Sequence, residues 1–240
     1  MRQIKKGQPP DKLKEWRIDN ANIPQNLFYG LAEFPRDEVL NALLDEQGYL
    51  CAYTLKRLCS KSSHVEHLKP QTICKKEDNN RESNGQARQR DDIAWGNMVA
   101  CFPETTPPAP PSYGAVKKDK WWSQVDFVSP LIQDCEERFK FSSDGKISPT
   151  DEADQPALIT IQKIGLDDKK LCELRETAYL RAGIHRRAEQ PIESIAKIEQ
   201  LIAKWSNRDA ATRSYTEFCV PLTQVAKEYA HFLRERGAAA

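Results

Sequence analysis

The chain has little with which to cross a membrane or to cross-link itself. Across 240 residues no run approaches the roughly 20 apolar residues of a membrane span. Hydrophobic residues make up 39 % and charged ones 30 %, so a polar soluble protein is expected, long enough for one large core or two modest ones. The first sixteen residues, MRQIKKGQPPDKLKEW, have charges with no apolar segment behind them. No secretory signal is expected there, and a cytoplasmic location follows as the default. The seven cysteines (Cys51, Cys59, Cys74, Cys101, Cys135, Cys172, Cys219) are odd in number, irregularly spaced and without a CxxC pair. That argues against a disulfide framework, and reduced thiols are expected, several buried as small hydrophobes. Net charge is only +1, which leaves nucleic acid open as a partner, because positive charge can be local. The local candidates are Lys75, Lys76, Arg81, Arg88 and Arg90 in one polar segment, and Lys117, Lys118 and Lys120 in another; the alternative is solvated loops.

What is present falls into an α+β pattern with a helical back half and no internal repeats. Residues 1–36 read as a polar, proline-containing arm with little periodicity. Val39, Leu40, Leu43 and Leu44 recur at helical spacing after Asp37, and Gly48 is a stop. Tyr49 to Tyr53 is a short apolar run that reads as a strand. Cys74 to Asp92 is poor in apolar residues and reads as a mobile polar segment. Ile93 to Phe102 resumes buried character, and Pro103 to Pro111 must be extended, because proline lacks a donor and fixes φ. Phe139 and Phe141 alternate ahead of Asp144-Gly145 and Ile147, a β-hairpin signal. Asp167 or Asp168 can cap a helix carrying Leu171, Leu174 and Ala178. Ile192, Ile195, Ile198, Ile202 and Trp205 form a second core stripe, and Phe218, Leu222, Val225, Tyr229 and Phe232 a third.

Two of the four histidines lie in SSHVEHLKPQ, Ser62 to Gln71. Extended from His64 to His67, this segment puts His64 and Glu66 on one face, with Val65 behind. An imidazole with a pKa near neutrality suits deprotonation of an attacking water, and a carboxylate suits a hard divalent ion such as Mg²⁺. Three readings stay open on these residues alone. They are a metal-dependent nuclease centre, a zinc site built from His64, His67 and two of Cys51, Cys59, Cys74 and Cys101, and an ordinary buried polar corner.

The succession EQGYLCAYT, HVEHLKPQ and WGNMVACF (Glu46–Thr54, His64–Gln71, Trp95–Phe102) resembles the HNH nuclease family. The resemblance implies a ββα-metal core, here within residues 37–130, with an acid–histidine pair followed about thirty residues later by an asparagine. It implies His67 as general base, Glu66 as metal-binding acid and Asn97 as the residue whose amide bonds to the backbone near the histidine. His64 is the first candidate for a second metal ligand, with Glu104 or a residue in Ser112 to Lys118 in reserve. Beyond that core, IKKGQPPDKL, SPLIQDCEERFKFSSDGKI and TIQKIGLDDKKLCELR resemble the PtuB family, HNH nucleases of Septu and some retron-associated anti-phage systems. That likeness, over roughly residues 3 to 182, implies an ABC- or SMC-like ATPase partner of the PtuA type, Mg²⁺ or Mn²⁺ as cofactor and DNA as the nucleic-acid substrate. RNA, for instance a tRNA, is the alternative substrate; a degenerate HNH fold serving as a binding or assembly module is the alternative function. The sequence departs from the family in lacking the CxxC pairs of a structural zinc and the third HNH residue after Asn97.

The back portion, residues 131–240, is expected to be a hairpin plus helices, and with the arm to offer surfaces to the ATPase. His185 is expected at the surface between two helices, and His231 near a helix C-terminus, where a cation complements the dipole. Trp121-Trp122 reads as a core or interface cap, or as a platform for bases.

Overall fold

Helix α2 (Arg36–Glu46) shows how the front half is built. Asp37 and Glu38 in its first turn complement the helix dipole, and Val39, Leu40, Leu43 and Leu44 are all buried. It ends at Gly48, whose φ of 58° suits glycine; a Cβ there would lie 2.5 Å from the Tyr215 ring. The structure is a computed structural model and describes residues 1–31 and 33–238. Among these residues the architecture is helices with two small antiparallel sheets, β1–β2 and β3–β4. The α+β expectation is therefore met at that coarse level.

Strand β1 (His64–His67) pairs with β2 (Met98–Cys101) in a register that sets His64 opposite Cys101 and His67 opposite Met98. The Tyr49–Tyr53 run does not form the expected strand. Tyr49 and Leu55 take positive φ values of 60° and 62°, and the segment folds back on itself with one isolated Leu50–Arg57 bridge. The free edge of β2 is instead closed by the buried Gln47 side chain, which donates to Ala100 O (2.9 Å) and accepts from Ala100 N (2.7 Å). Ala52 N also donates to Ala100 O (3.2 Å), so one side chain and a single backbone bond do what a third strand would have done.

Two segments read as irregular are helical. The arm contains α1 (Asp11–Asp19), which buries Leu13 and Trp16 and sets Trp16 edge-on to Phe34 at 5.1 Å. Met1 and Ile4 are also buried, and Ile4 N donates to Pro130 O, so the arm packs on its own chain. The polar segment after Pro70 forms α3 (Gln71–Ser83), whose buried positions are Cys74 and Asp78. Asp78 then accepts from Gln89 N at 2.7 Å and Arg90 N at 3.2 Å, pinning the following loop. Lys75, Lys76 and Arg81 therefore lie on a helix.

A short helix α4 (Ala115–Lys118) follows the proline-rich stretch, which forms neither helix nor strand. The hairpin β3 (Phe139–Phe141) and β4 (Ile147–Pro149) forms where the sequence predicts it. Helix α5 (Gln155–Ile164) carries no expectation of its own; Asp154 caps it by accepting from Ala157 N. Asp168 caps α6 (Lys169–Arg181) through Lys170 N and Leu171 N, as expected. The apolar stripes appear as α7 (Ile195–Ser206) and α8 (Cys219–Ala238), which pack on each other; Ile192 lies before the first of them. One hydrophobic cluster runs from Met1 to Ala230 and includes residues of all three sequence segments. No helix among the described residues is long and apolar enough to cross a membrane. All seven cysteines are free, with only Cys59 exposed.

Candidate active site around His67

The β1–β2 register brings His67 and Asn97 to one end of the small sheet. Asn97 sits in a single 3₁₀ turn (Trp95–Asn97) just before β2, and its side chain reaches across to the chain leaving β1. Its Oδ1 accepts from Lys69 N at 2.7 Å, while Nδ2 donates to Lys69 O at 3.0 Å and to Asp91 O at 2.9 Å. Leu68 N also donates to Asn97 O at 2.9 Å. One amide thus fixes the backbone two residues beyond His67. Lys69 adds ion pairs to Glu77 (2.6 Å) and Asp91, which tie the same corner to α3 and to the loop before β2.

His67 is 5 % exposed. Its Nε2 bonds to Asp92 O at 2.8 Å, and a carbonyl can only accept, so Nε2 carries the proton. Nδ1 is then the acceptor, facing Gln71 Nε2 at 3.3 Å. Burial lowers the pKa of His67, against the opposing pull of the Asp92 carbonyl and Glu66, so the neutral ring is favoured. Tyr29 stands edge-on to the imidazole at 4.6 Å. It is held there by Tyr29 N donating to Asp92 Oδ2 (3.0 Å) and by Arg90 donating to Leu27 O (3.0 Å). The arm therefore covers the expected base.

Glu66 and His64 share a face, with His64 Nε2 3.6 Å from Glu66 Oε2. His64 Nδ1 bonds to the carbonyl of Pro103. Burial opposes charge on His64, but Glu66 and that carbonyl outweigh it and raise its pKa. Burial likewise opposes charge on Glu66, but His64 and Lys118 hold its carboxyl below the usual range. Burial and the neighbouring Glu66 push the Tyr53 hydroxyl well up.

Lys118 reaches this centre although the sequence places it elsewhere. Expected as part of an exposed basic loop, it has no exposed side-chain surface. Its Nζ lies 2.9 Å from Glu66 Oε1 and donates to His67 O at 3.0 Å. From the reserve range Ser112–Lys118, the residue that reaches Glu66 is thus a cation and not a ligand. Glu104, the other reserve, is exposed and borders a different cleft with Arg36 and Ser60. The only signal in the sequence was the position of α4 after β2, which did not separate Lys118 from Lys117 and Lys120.

A divalent ion on this centre would need the Glu66 oxygens, and Lys118 and His64 face both of them. Among the described residues, no three histidine, cysteine, aspartate or glutamate side chains are grouped to hold a metal. As folded, the donor set does not fit Mg²⁺ or Mn²⁺. Among the described residues, the thiols considered for zinc join no group of three or more such donors either. Cys51 and Cys101 are buried partners, Cys74 bonds to Lys69 O and Asn97 Nδ2, and Cys59 is exposed.

The other singled-out residues lie elsewhere. Trp121 packs edge-on to Phe127 at 5.6 Å, and Trp122 stands 5.7 Å from the Lys69 ammonium. His185 is buried and not at the surface; the chain turns back after α6 and its Nδ1 accepts from Arg187 N at 3.0 Å. His231 is exposed and pairs with Glu235 one turn further along α8. No protein-family model matches the chain, and no curated protein matches it.

Proposed function

We propose that the chain is an HNH-type phosphodiester hydrolase akin to the PtuB family, cutting DNA together with an ABC- or SMC-like ATPase of the PtuA type. In this reading β1, β2 and α4 stand for the ββα core. The observation that carries it is the Asn97 amide bridging Lys69 N and O, which orients the strand end bearing His67. His67 Nδ1 takes a proton from water as the water oxygen attacks phosphorus, the bond from phosphorus to the leaving oxygen breaks, the leaving oxygen takes a proton from solvent, and the imidazolium returns its proton to solvent. Nε2 keeps its proton on Asp92 O, which steadies the imidazolium that forms. The depressed pKa keeps the ring neutral near pH 7, the state able to accept a proton. No step runs through Mg²⁺ or Mn²⁺, because Lys118 already holds Glu66. Gln71 of α3 occupies Nδ1 and Tyr29 of the arm packs on the ring, so the attacking water displaces Gln71 and the ATPase is assigned the task of drawing the arm aside.

The purified chain with its ATPase should cut DNA, and His67→Ala should lower the rate at least about a hundredfold. Equal cleavage by wild type and variant sinks the reading. A second reading, a degenerate HNH fold kept for binding or assembly, is favoured by one observation: the buried Lys118–Glu66 pair beside a fully bonded imidazole. A complex that assembles with the ATPase but hydrolyses no diester would support it.

A further inference from the structure

We infer that Lys118 is the resident cation of the Glu66–His67 centre, and that a divalent ion gains Glu66 only when this ammonium is displaced. The inference rests on the proposed function and deepens it, because it names what controls the acid of that site. The ammonium has no exposed surface and contacts both elements that matter, Glu66 Oε1 at 2.9 Å and the His67 carbonyl at 3.0 Å. A partly buried carboxylate in contact with a fully buried ammonium forms a neutral unit, and removing the carboxylate leaves an uncompensated buried charge. A divalent ion arriving at Glu66 with Lys118 still in place would put two cations against one carboxylate.

The backbone around Lys118 is arranged to hold it inward. Helix α4 has only four residues, between Gly114 at φ 75° and Asp119 at φ 43°. A positive φ at a residue such as Asp119 is a conformation that surrounding structure must impose. Gly114 N donates to Ile164 O at 2.7 Å and Lys118 N to Gly114 O at 3.0 Å, so α5 anchors the turn that aims the side chain. A lysine needed only for solubility would not be held this way. His64, on the same face, meets the other Glu66 oxygen at 3.6 Å.

The test is Mn²⁺ binding to the full-length chain, read by electron paramagnetic resonance. Lys118→Met should bind Mn²⁺ at least about tenfold more tightly than wild type. Adding Glu66→Gln should remove that gain. Equal affinity of wild type and Lys118→Met, or a gain that survives Glu66→Gln, overturns the inference. Because Lys118→Met strands a partly buried carboxylate and can unfold the chain, a second measurement uses the wild type alone. The Lys118 ammonium should give a slowly exchanging ¹⁵N signal that millimolar Mn²⁺ leaves sharp; selective broadening of that signal overturns the inference. The nuclease reading fails separately, on cleavage that does not depend on His67.

Discussion

Around β1–β2, buried polar side chains bonded to backbone close the structure; between α7 and α8, apolar stripes do. Ile198 and Trp205 on α7 are buried, as are Val225, Ala226, Tyr229 and Ala230 on α8. Contacts of this kind are non-directional and tolerate small shifts. At the other region Gln47 completes the edge of β2, Asn97 bridges Lys69, Asp78 pins Arg90 and Lys118 neutralises Glu66. Each such bond is directional, and a lost partner leaves a buried group unsatisfied. A scaffold of the first kind can hold a site of the second kind to fixed geometry.

The largest expected break is Glu66→Ala, which strands the buried Lys118 ammonium and should cost about 4 kcal/mol in urea unfolding. A cost below about 1 kcal/mol would place the pair among weak surface contacts. In the apolar region Ile198→Ala should cost about 3 kcal/mol, from lost transfer energy and a cavity. Hydrolysis should largely survive that change once the protein is folded, and equal loss of activity and stability would erase the distinction. Asn97→Ala should cost about 2 kcal/mol, because three backbone groups lose their partner. Its activity should fall further than that of Ile198→Ala.

The smallest effect is a pH dependence. The folded pKa of His67 lies below its ordinary 6.5, so its share of stability is complete above pH 6.5 and is lost as pH falls through the folded value. Glu66 has the same sign, beginning below 4.5. His64, with a raised pKa, has the opposite sign: its share is present below 6.5 and fades as pH rises through the folded value. An NMR titration should place the His67 midpoint below 6.5, and a midpoint above it would mean that the ring is not held neutral by burial.

The same contrast decides what was legible in the sequence. The stripes of α2, α7 and α8 carry their burial in the spacing of apolar residues, and the Asp144-Gly145 turn announces its hairpin; α6 instead buries Cys172, Arg175 and Tyr179 beside Leu171, with Leu174 and Ala178 only partly covered. The extended HVEH segment and the link from His67 to Asn97 were legible from residue types and separation. Helix α3 was not, because its inward positions are Cys74 and Asp78, which no hydrophobic period marks. Nor was α1, where only Leu13 and Trp16 turn inward in nine mostly polar residues. Lys118 reads as a surface charge in sequence because its burial depends on Glu66, 52 residues away, and on a turn set by Gly114 and α5. Long-range polar pairing leaves no local pattern.

The most direct test is a double-mutant cycle on Glu66 and Lys118, with unfolding free energies of wild type, Glu66→Gln, Lys118→Met and the double variant. A buried pair predicts a coupling of about 2 kcal/mol, the double variant recovering much of what each single change loses. Additive losses, with a coupling near zero, would contradict the account of Lys118 as the resident cation of this site.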